Sequence, residues 1–417
     1  MPRTGSSYLV ALTVVFLAGC KNHAHVEFTK WTAVNSQSRT SVTEASAKLV
    51  SAGSAVDQRA KASAKPDSKG KPTSPITTRT TFFPKQKSEA RKIIAGSKKD
   101  ALAAAALIDR MDYVPTGLDQ PQPYLGGIRL IGSSLIWDIE EALSNHDYDK
   151  AIPACGQATQ LGFALMSGGA YEASLGASFI NQARQKMIPI LGNLSGLQLG
   201  KLGSVLQKSS AKRPSLQVAV ENERDNMLLG LQQVQDAFEK NRPESLQERL
   251  GSSAKDTIDM LQSLEKDQEK GKALFDWIGN DITARTEWYL KLLKNPSSAG
   301  LQPKKDETKS KLMIYRYFGS SIENLVPMLQ LTYCRTQLFV LECYLKQKLK
   351  MGKDLPDSLA KFSRAATIDP FTGEPFYYKA SGSSYMLYSA GEDGVDNGGT
   401  TDSSGRSRDI QLEKAHN

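Results

Sequence analysis

The spacing of apolar residues after residue 100 indicates a mainly helical protein. Near residue 140 these residues recur every three or four positions, which places them on one helix face: Leu135, Ile139, Ala142 and Leu143. Similar spacing predicts amphipathic helices at Leu216–Lys240, Pro243–Glu269 and Ala273–Lys294, and Asp100 is placed to cap a helix over Ala101–Met111. We therefore predict a helical domain, a bundle or hairpin body, over residues 100–300.

The last hundred residues show a long helix followed by two short strands. The helix is predicted from one narrow apolar seam in steps of three and four: Leu331, Cys334, Leu338, Leu341 and Leu345. The strands are predicted at Phe376–Lys379 and Tyr385–Ser389, with a chain reversal over residues 381–384. Residues 311–417 are therefore predicted to form a small α+β module, and the Pro- and Lys-rich stretch Asn295–Thr308 marks the boundary before it.

The stretch Leu161–Ile180 is apolar, with Glu172 as its only charge. Its length would suit a transmembrane helix, which needs about 20 apolar residues. Its many Gly and Ser residues favour a soluble bundle instead, in which Gly169, Ala173 and Ala177 allow close contact between helices. Just before it, residues 142–152 resemble the turn of a tetratricopeptide-like helical hairpin, in a single copy.

Residues 1–20 have the pattern of an export signal. Arg3 is followed by a short apolar run, Tyr8–Phe16, which is too short to span a bilayer of about 30 Å. The segment ends in Leu17-Ala18-Gly19-Cys20, which resembles the lipobox of bacterial lipoproteins. The resemblance implies cleavage before Cys20 and lipid on its thiol, and Lys21 is typical of outer-membrane sorting. The alternative is an ordinary secretory signal with a chance cysteine.

The basic charge of the chain lies between this signal and the helical domain. The net charge is +9, and residues 21–100 alone hold 16 Lys and Arg against 6 Asp and Glu. The segment is rich in Ser, Thr, Ala and Lys, so we predict a disordered tether over residues 21–99, with a reach of about 50 Å. It is either a solvated linker or a spacer attracted to anionic lipid or cell-wall polymer. Export argues against nucleic acid as its partner.

The C-terminal motifs resemble those of a known family. In order they are a long helix, Leu355-Pro356-Asp357-Ser358-Leu359, an Asp-Pro-Phe-x-Gly-x-Pro segment at 369–375, a Tyr-rich hairpin, Tyr-Ser-x-Gly-x-Asp-Gly at 388–394, and Asp409-Ile410. This order is similar to the C-terminal half of type II secretion major pseudopilins, and to planctomycete-type exported proteins that carry the same tail. Pseudopilins begin with an apolar helix that packs into a filament. Because this chain begins with a lipobox, the module is interpreted as a reused fold.

The same resemblance implies a calcium ion in the loop after the hairpin. The oxygen ligands that it suggests are Asp393, Asp396, Asn397, Asp402 and Asp409. Calcium takes six to eight oxygen ligands from carboxylates, amides and backbone carbonyls, and Gly394, Gly398 and Gly399 allow the backbone to turn sharply. The alternative is a solvated cluster of Asp/Gly turns.

No catalytic residues are identified from the sequence. The histidines are His23, His25, His146 and His416, and no HExxH, GxSxG or P-loop pattern occurs. His146, with Asp147 and Asp149, is expected in a turn between helices. Glu140 and Glu141 are adjacent and are expected to diverge on a helix.

Three cysteines remain besides Cys20. Cys334 and Cys343 lie on one predicted helix, separated by about 13 Å at 1.5 Å per residue, too far for a disulfide. A bridge would join Cys155 to either of them, and the alternative is three buried thiols.

Two hypotheses on function follow from these observations. The first is a non-catalytic lipoprotein of the cell envelope, a scaffold or interaction module held to a membrane through Cys20 and binding other envelope proteins. The second is an envelope hydrolase of cell-wall glycan, with carboxylates gathered in a cleft of the helical domain.

Overall fold

The computed structural model describes most of the chain after residue 43 and one short segment before it. The described residues are 26–31, 43–64, 76–78, 81–108, 113–118, 124–250, 254–265, 267–295, 321–399 and 409–412. Within them the protein is mainly helical, with one small antiparallel sheet near the C-terminus, which confirms the predicted fold class. The predicted signal segment 1–20, including Cys20, lies outside the described residues.

The helices and strands follow one another in chain order. The first helices are α1 (Glu44–Ser63), α2 (Pro84–Ile94), α3 (Ser97–Ala105), α4 (Tyr124–Ser144), α5 (Tyr148–Leu165), α6 (Ala170–Met187) and α7 (Gly196–Ala211). They are followed by α8 (Leu216–Glu239), α9 (Gln247–Leu250), α10 (Ala254–Leu264), α11 (Gln268–Lys294), α12 (Ser321–Lys350) and α13 (Arg364–Thr367). The two strands are β1 (Tyr377–Ser381) and β2 (Ser384–Tyr388).

Two apolar cores divide the helices into two lobes. Lobe 1 consists of α1–α7, whose buried side chains form one continuous cluster. Lobe 2 consists of α8–α11, whose cluster includes Leu231, Phe238 and Phe275. A smaller cluster joins the lobes where Ala173 and Ala177 of α6 meet the start of α8.

The long helix α12 belongs to both lobes. Its first turns contribute Ile322 and Val326 to the core of lobe 2. Its later turns place Leu338 and Leu341 in the core of lobe 1, mainly against α7. The predicted body at 100–300 and the predicted module at 311–417 thus share their cores, because α12 contributes to both lobes.

The predicted seam on α12 is also narrower than the buried surface. Four of its five residues are buried, as expected, but Phe339 and Val340 are buried as well. The helix is covered on several sides because α6, α7 and α8 all contact it.

The prediction of a disordered tether over residues 21–99 is wrong for its described parts. Helix α1 packs on α3 and α4, with Leu49, Val56 and Ala60 completely buried. Arg59 of α1 donates through Nη2 to Ser97 Oγ (2.7 Å) and through Nε to the Ile93 carbonyl (2.7 Å). The polar composition of this segment conceals apolar residues at helical spacing, and their burial favours an ordered helix.

Other predicted elements differ at their boundaries. The apolar stretch Leu161–Ile180 is divided between α5 and α6, with Gly169 as the residue that caps α6. The predicted helix Pro243–Glu269 is interrupted and includes α9 and α10. Among the helices of the described residues, none combines the length and apolar character that spanning a bilayer requires.

The C-terminal hairpin has the predicted form. Strands β1 and β2 are antiparallel, with Tyr377 opposite Tyr388 and Ser381 opposite Ser384. The two-residue turn contains Gly382 at φ +59°, a left-handed conformation that glycine adopts at little cost. Helix α12 holds the segment before the hairpin, because Gln337 Nε2 donates to the carbonyls of Ala365 (2.7 Å) and Ile368 (3.0 Å).

We expect Gly127→Ala to destabilise the protein, because α1 and α4 approach closely at this residue. A Cβ at Gly127 would collide with the carbonyl oxygen of Gly53 in α1. Such overpacking costs about 1–3 kcal/mol, so the urea midpoint falls. Gly192→Ala is the matched control, since a Cβ there meets nothing within 4 Å. Equal midpoints for the two variants would contradict the packing of α1.

Candidate functional site

The loop after the hairpin brings together some of the predicted calcium ligands. Asp409 is completely buried, and its Oδ2 accepts hydrogen bonds from the backbone N–H of Asn397 (3.0 Å) and Gly399 (2.7 Å). Its Oδ1 has no hydrogen-bond partner in the described part of the chain. A buried carboxylate oxygen without a partner is costly, and a bound cation would satisfy it.

The other predicted ligands are only partly assembled. Asp396 Oδ1 accepts from the Tyr388 hydroxyl (2.7 Å) and from Gly398 N–H (2.8 Å), while Asp393 Oδ1 accepts from Val395 N–H (3.0 Å). Asp402 lies outside the described residues. Across the described ranges, no three His, Cys, Asp or Glu side chains are placed to share a metal ion. The structure thus groups Asp396, Asn397 and Asp409, and leaves Asp393 in a separate turn.

The loop glycines have the backbone that the sequence predicts. Gly394, Gly398 and Gly399 all have φ between +65° and +69°. These left-handed residues turn the chain back so that Ile410 pairs with Ser389 beside β2. The reversal brings Asp409 next to the hairpin, although residues 400–408 between them lie outside the described residues.

The outer face of the hairpin was not identified from the sequence. Tyr377 and Met386 are 40% and 48% exposed, and the Tyr377 ring stacks on Tyr388 at 5.2 Å between centroids. The opposite face, with Tyr378 and Leu387, contacts the core of lobe 1. Successive strand residues point to opposite faces, so the strand register is needed to place Tyr377 and Met386 on the same face.

Two carboxylates of the helical domain meet at the junction of the lobes. Glu172 of α6 and Glu223 of α8 are both buried. The Tyr124 hydroxyl donates to Glu172 Oε1 (2.9 Å), and Ser321 Oγ donates to Glu223 Oε1 (2.5 Å). Glu223 Oε2 accepts from Ala170 N–H (3.0 Å), in the first turn of α6.

This pair is committed to helix capping. Glu172 accepts from the backbone N–H of Gly169, so both carboxylates satisfy donors at the N-terminus of α6. Burial raises the pKa of both carboxyls, and the charge of Glu172 raises the pKa of Glu223 further. The pair joins α6, α8 and the start of α12, and neither residue lines the two grooves described next.

A surface groove of about 720 Å³ lies between α2, α4 and α6. Glu140 and Glu141 both line it, and as adjacent residues of α4 they point in different directions, toward different basic side chains. Glu140 pairs with Lys87 (3.0 Å) and Lys186 (2.9 Å), and Glu141 pairs with Arg91 (2.7 Å). Burial opposes the shift, but the two lysines outweigh it and lower the pKa of Glu140.

Two further regions are the turn around His146 and a second surface groove. His146 is exposed with φ +55°, and Asp147 caps α5 by accepting from Lys150 N–H (3.1 Å). The second groove, about 510 Å³, lies between α7 and α12 and includes Asp149 and Tyr344. His23, His25 and His416 lie outside the described residues.

The three cysteines after Cys20 are buried free thiols in the structure. Burial raises the pKa of Cys155 to about 12 and raises those of Cys334 and Cys343 above their ordinary value. Thiols that are buried and protonated react slowly.

We expect Glu223→Gln to flatten the pH dependence of stability. Burial raises the pKa of Glu223 in the folded state above its ordinary value of 4.5. The stabilisation that its protonated carboxyl contributes is therefore fully present below about pH 4.5 and is lost as the pH rises through the folded-state pKa. Urea unfolding between pH 4 and pH 8 measures the slope. Glu269→Gln, at an exposed position, is the control and keeps the wild-type slope. An unchanged slope in Glu223→Gln would show that Glu223 is not held in this environment.

Comparison with known proteins found no match. No family model, no curated protein and no solved structure matches the chain. Function is therefore inferred from the chain's own residues and geometry.

Proposed function

We propose that the chain is an exported lipoprotein of the cell envelope, anchored through lipid on Cys20, and that it acts as a non-catalytic scaffold. Its helical lobes carry the C-terminal hairpin on a firm support, and the hairpin binds another envelope protein. The sorting residue Lys21 favours the outer membrane over the inner membrane as the site of anchoring.

The outer face of the hairpin is the observation that carries this proposal. Tyr377 and Met386 share this face as diagonal neighbours, because Tyr377 is opposite Tyr388 and Met386 is opposite the exposed Lys379, and Val395 in the following loop is 53% exposed. Aromatic residues and methionine are enriched in protein interfaces, whereas most exposed surfaces are not organised around such side chains. A partner protein would cover these exposed apolar side chains and meet the charge of Lys379 between them.

The support beneath the hairpin favours an interaction role. The Tyr378 hydroxyl donates to the Pro356 carbonyl (2.9 Å), and Leu387 contacts the core of lobe 1. Gln330 Nε2 donates to the Pro370 carbonyl (3.1 Å), which ties the segment before the hairpin to α12. A binding surface that is already ordered loses little conformational entropy when a partner binds.

The alternative, a hydrolase of cell-wall glycan, has less support. Glycoside cleavage needs two accessible carboxyl groups, one of which is an acid with a raised pKa. Glu172 and Glu223 have raised pKa values but are buried and bonded to the start of α6. Glu140 is accessible, but lysines hold its pKa low.

We also propose that calcium binds in the loop after the hairpin. The unpartnered Oδ1 of buried Asp409 supports this proposal, and Asp396 and Asn397 lie in the same loop. The metal would hold Asp396 and Asn397 against Asp409 and would leave the hairpin face exposed.

The scaffold proposal predicts that polar substitutions on the hairpin face remove a partner. The natively lipidated protein is used to capture proteins from detergent-solubilised envelopes, and Tyr377→Ser with Met386→Ser is compared with wild type. We expect one or more captured proteins to be lost. Leu197→Ser is the control, because Leu197 is 82% exposed and belongs to α7, not to the hairpin. Identical captured sets in all three would contradict the proposal.

The calcium proposal predicts a higher melting temperature in millimolar calcium than in EDTA. Binding at 100 times the Kd stabilises the folded state by about 2.7 kcal/mol. Asp409→Asn should remove the response. Asp357→Asn, exposed in the same region of the chain, should retain it. The absence of a calcium shift in the wild-type protein would contradict calcium binding.

A further inference from the structure

A short segment near the N-terminus docks on lobe 2. We call residues 26–31 the N-terminal strap. The backbone N–H of Trp31 donates to Gln232 Oε1 (2.7 Å), and Gln235 Nε2 donates to the Thr29 carbonyl (3.0 Å). Both glutamines lie on α8, so the strap runs along this helix.

Aromatic side chains fix the strap in the core of lobe 2. The Phe28 ring meets Phe238 and Phe275 edge to face, at 6.0 and 6.3 Å between centroids. Trp31 is buried, and its ring lies over Gly279 of α11 so closely that a Cβ at Gly279 would collide with it. The burial of these two large rings in lobe 2 stabilises the docked strap much more than an exposed ion pair would.

The direction of the strap defines where the preceding residues lie. Trp31 is opposite Gln232, whereas Phe28 is opposite Phe238, so the chain toward the N-terminus follows α8 toward its C-terminal end. Lys30 pairs with Glu239, the last residue of α8 (3.3 Å). Val26 therefore lies near the turn that begins at Lys240.

The distance from this turn to Cys20 is limited by the covalent chain. The backbone advances at most about 3.6 Å per residue, so Val26 lies no more than about 22 Å from Cys20. This limit holds whatever conformation residues 21–25 adopt. It is less than half the reach of about 50 Å that an 80-residue disordered tether would have.

The hairpin lies toward the opposite end of the molecule. Helices α8 and α12 run antiparallel, since the Tyr333 hydroxyl donates to the Pro214 carbonyl and Ser321 Oγ donates to Glu223. At about 1.5 Å per residue, α8 continues about 24 Å beyond Glu223, and α12 continues about 26 Å beyond Tyr333 in the opposite direction. The stretch between the two contacts adds about 15 Å, so the Lys240 end and the Met351 end are roughly 65 Å apart.

We propose that the N-terminal strap orients the protein on a lipid bilayer. The turn at Lys240 faces the bilayer, lobe 1 and its hairpin are directed away from it, and the lipid surface is the partner of the exposed end of lobe 2. This inference rests on the proposed lipid anchor at Cys20. The reach of the chain and the direction of the strap carry it.

Energy transfer between the protein and labelled lipids tests the orientation. Azidophenylalanine replaces either Lys240 or Leu197, both exposed, and carries a donor fluorophore. The chain from Cys20 to Asn417 is coupled through the Cys20 thiol to maleimide lipid in phosphatidylcholine and phosphatidylglycerol vesicles with acceptor-labelled headgroups. The other cysteines are buried and do not compete. We expect strong transfer from position 240 and weak transfer from position 197.

A variant with a longer linker between Cys20 and the N-terminal strap provides the decisive comparison. Thirty Gly and Ser residues inserted between His25 and Val26 leave the strap intact, and transfer from position 240 should then fall at least twofold. Phe28→Ala with Trp31→Ala releases the strap and should have a similar effect, with circular dichroism to verify the helical content. Equal transfer from both positions, or no effect of the insertion, would overturn the proposed orientation.

A separate measurement distinguishes this result from failure of the anchor. Mass spectrometry of the N-terminal peptide of the native protein shows whether Cys20 carries acyl chains. A peptide without acyl mass would overturn the anchor, and with it the orientation in the cell. Acyl mass on Cys20 together with equal transfer from positions 240 and 197 would overturn the orientation alone.

Discussion

The burial of α12 is the constraint on which the rest of the structure depends. Its early turns supply Ile322 and Val326 to lobe 2, and its later turns supply Leu338 and Leu341 to lobe 1. Each fully buried aliphatic side chain contributes about 1.5–3 kcal/mol, so this helix accounts for a large part of the apolar driving force in both lobes. It also fixes the hairpin, because Gln330 and Gln337 bind the carbonyls that precede β1.

Local patterns predicted the elements whose apolar residues stand out from a polar background. Helices α8 and α11 and the hairpin were predicted within a few residues, because their spacing and turn residues are local properties. Helix α1 was missed for a physical reason. Leu49 and Val56 have the right spacing, but the average composition of the segment is basic and polar, and composition alone predicted disorder. Their burial depends on α4, which lies more than sixty residues later in the chain.

Only those parts of the candidate site that are formed by residues close together in the sequence could be predicted. The glycines of the loop after the hairpin and Asp396 and Asn397 follow from the sequence. The burial of Asp409 does not, because it depends on the pairing of Ile410 with Ser389. The meeting of Glu172 with Glu223 is similar. It requires α6 and α8 to cross near the start of α12, and no local spacing contains that information.

The late position of α12 in the chain also governs when the protein folds. The core around Leu199 and Leu202 of α7 is complete only when Leu338 and Leu341 are also present. Those two residues lie more than a hundred residues downstream. Contacts so distant in sequence form slowly, because the intervening loop must first be closed. A chain that has emerged only as far as α11 lacks the α12 residues that belong to both cores, so neither lobe has its full apolar core until the polypeptide extends through α12.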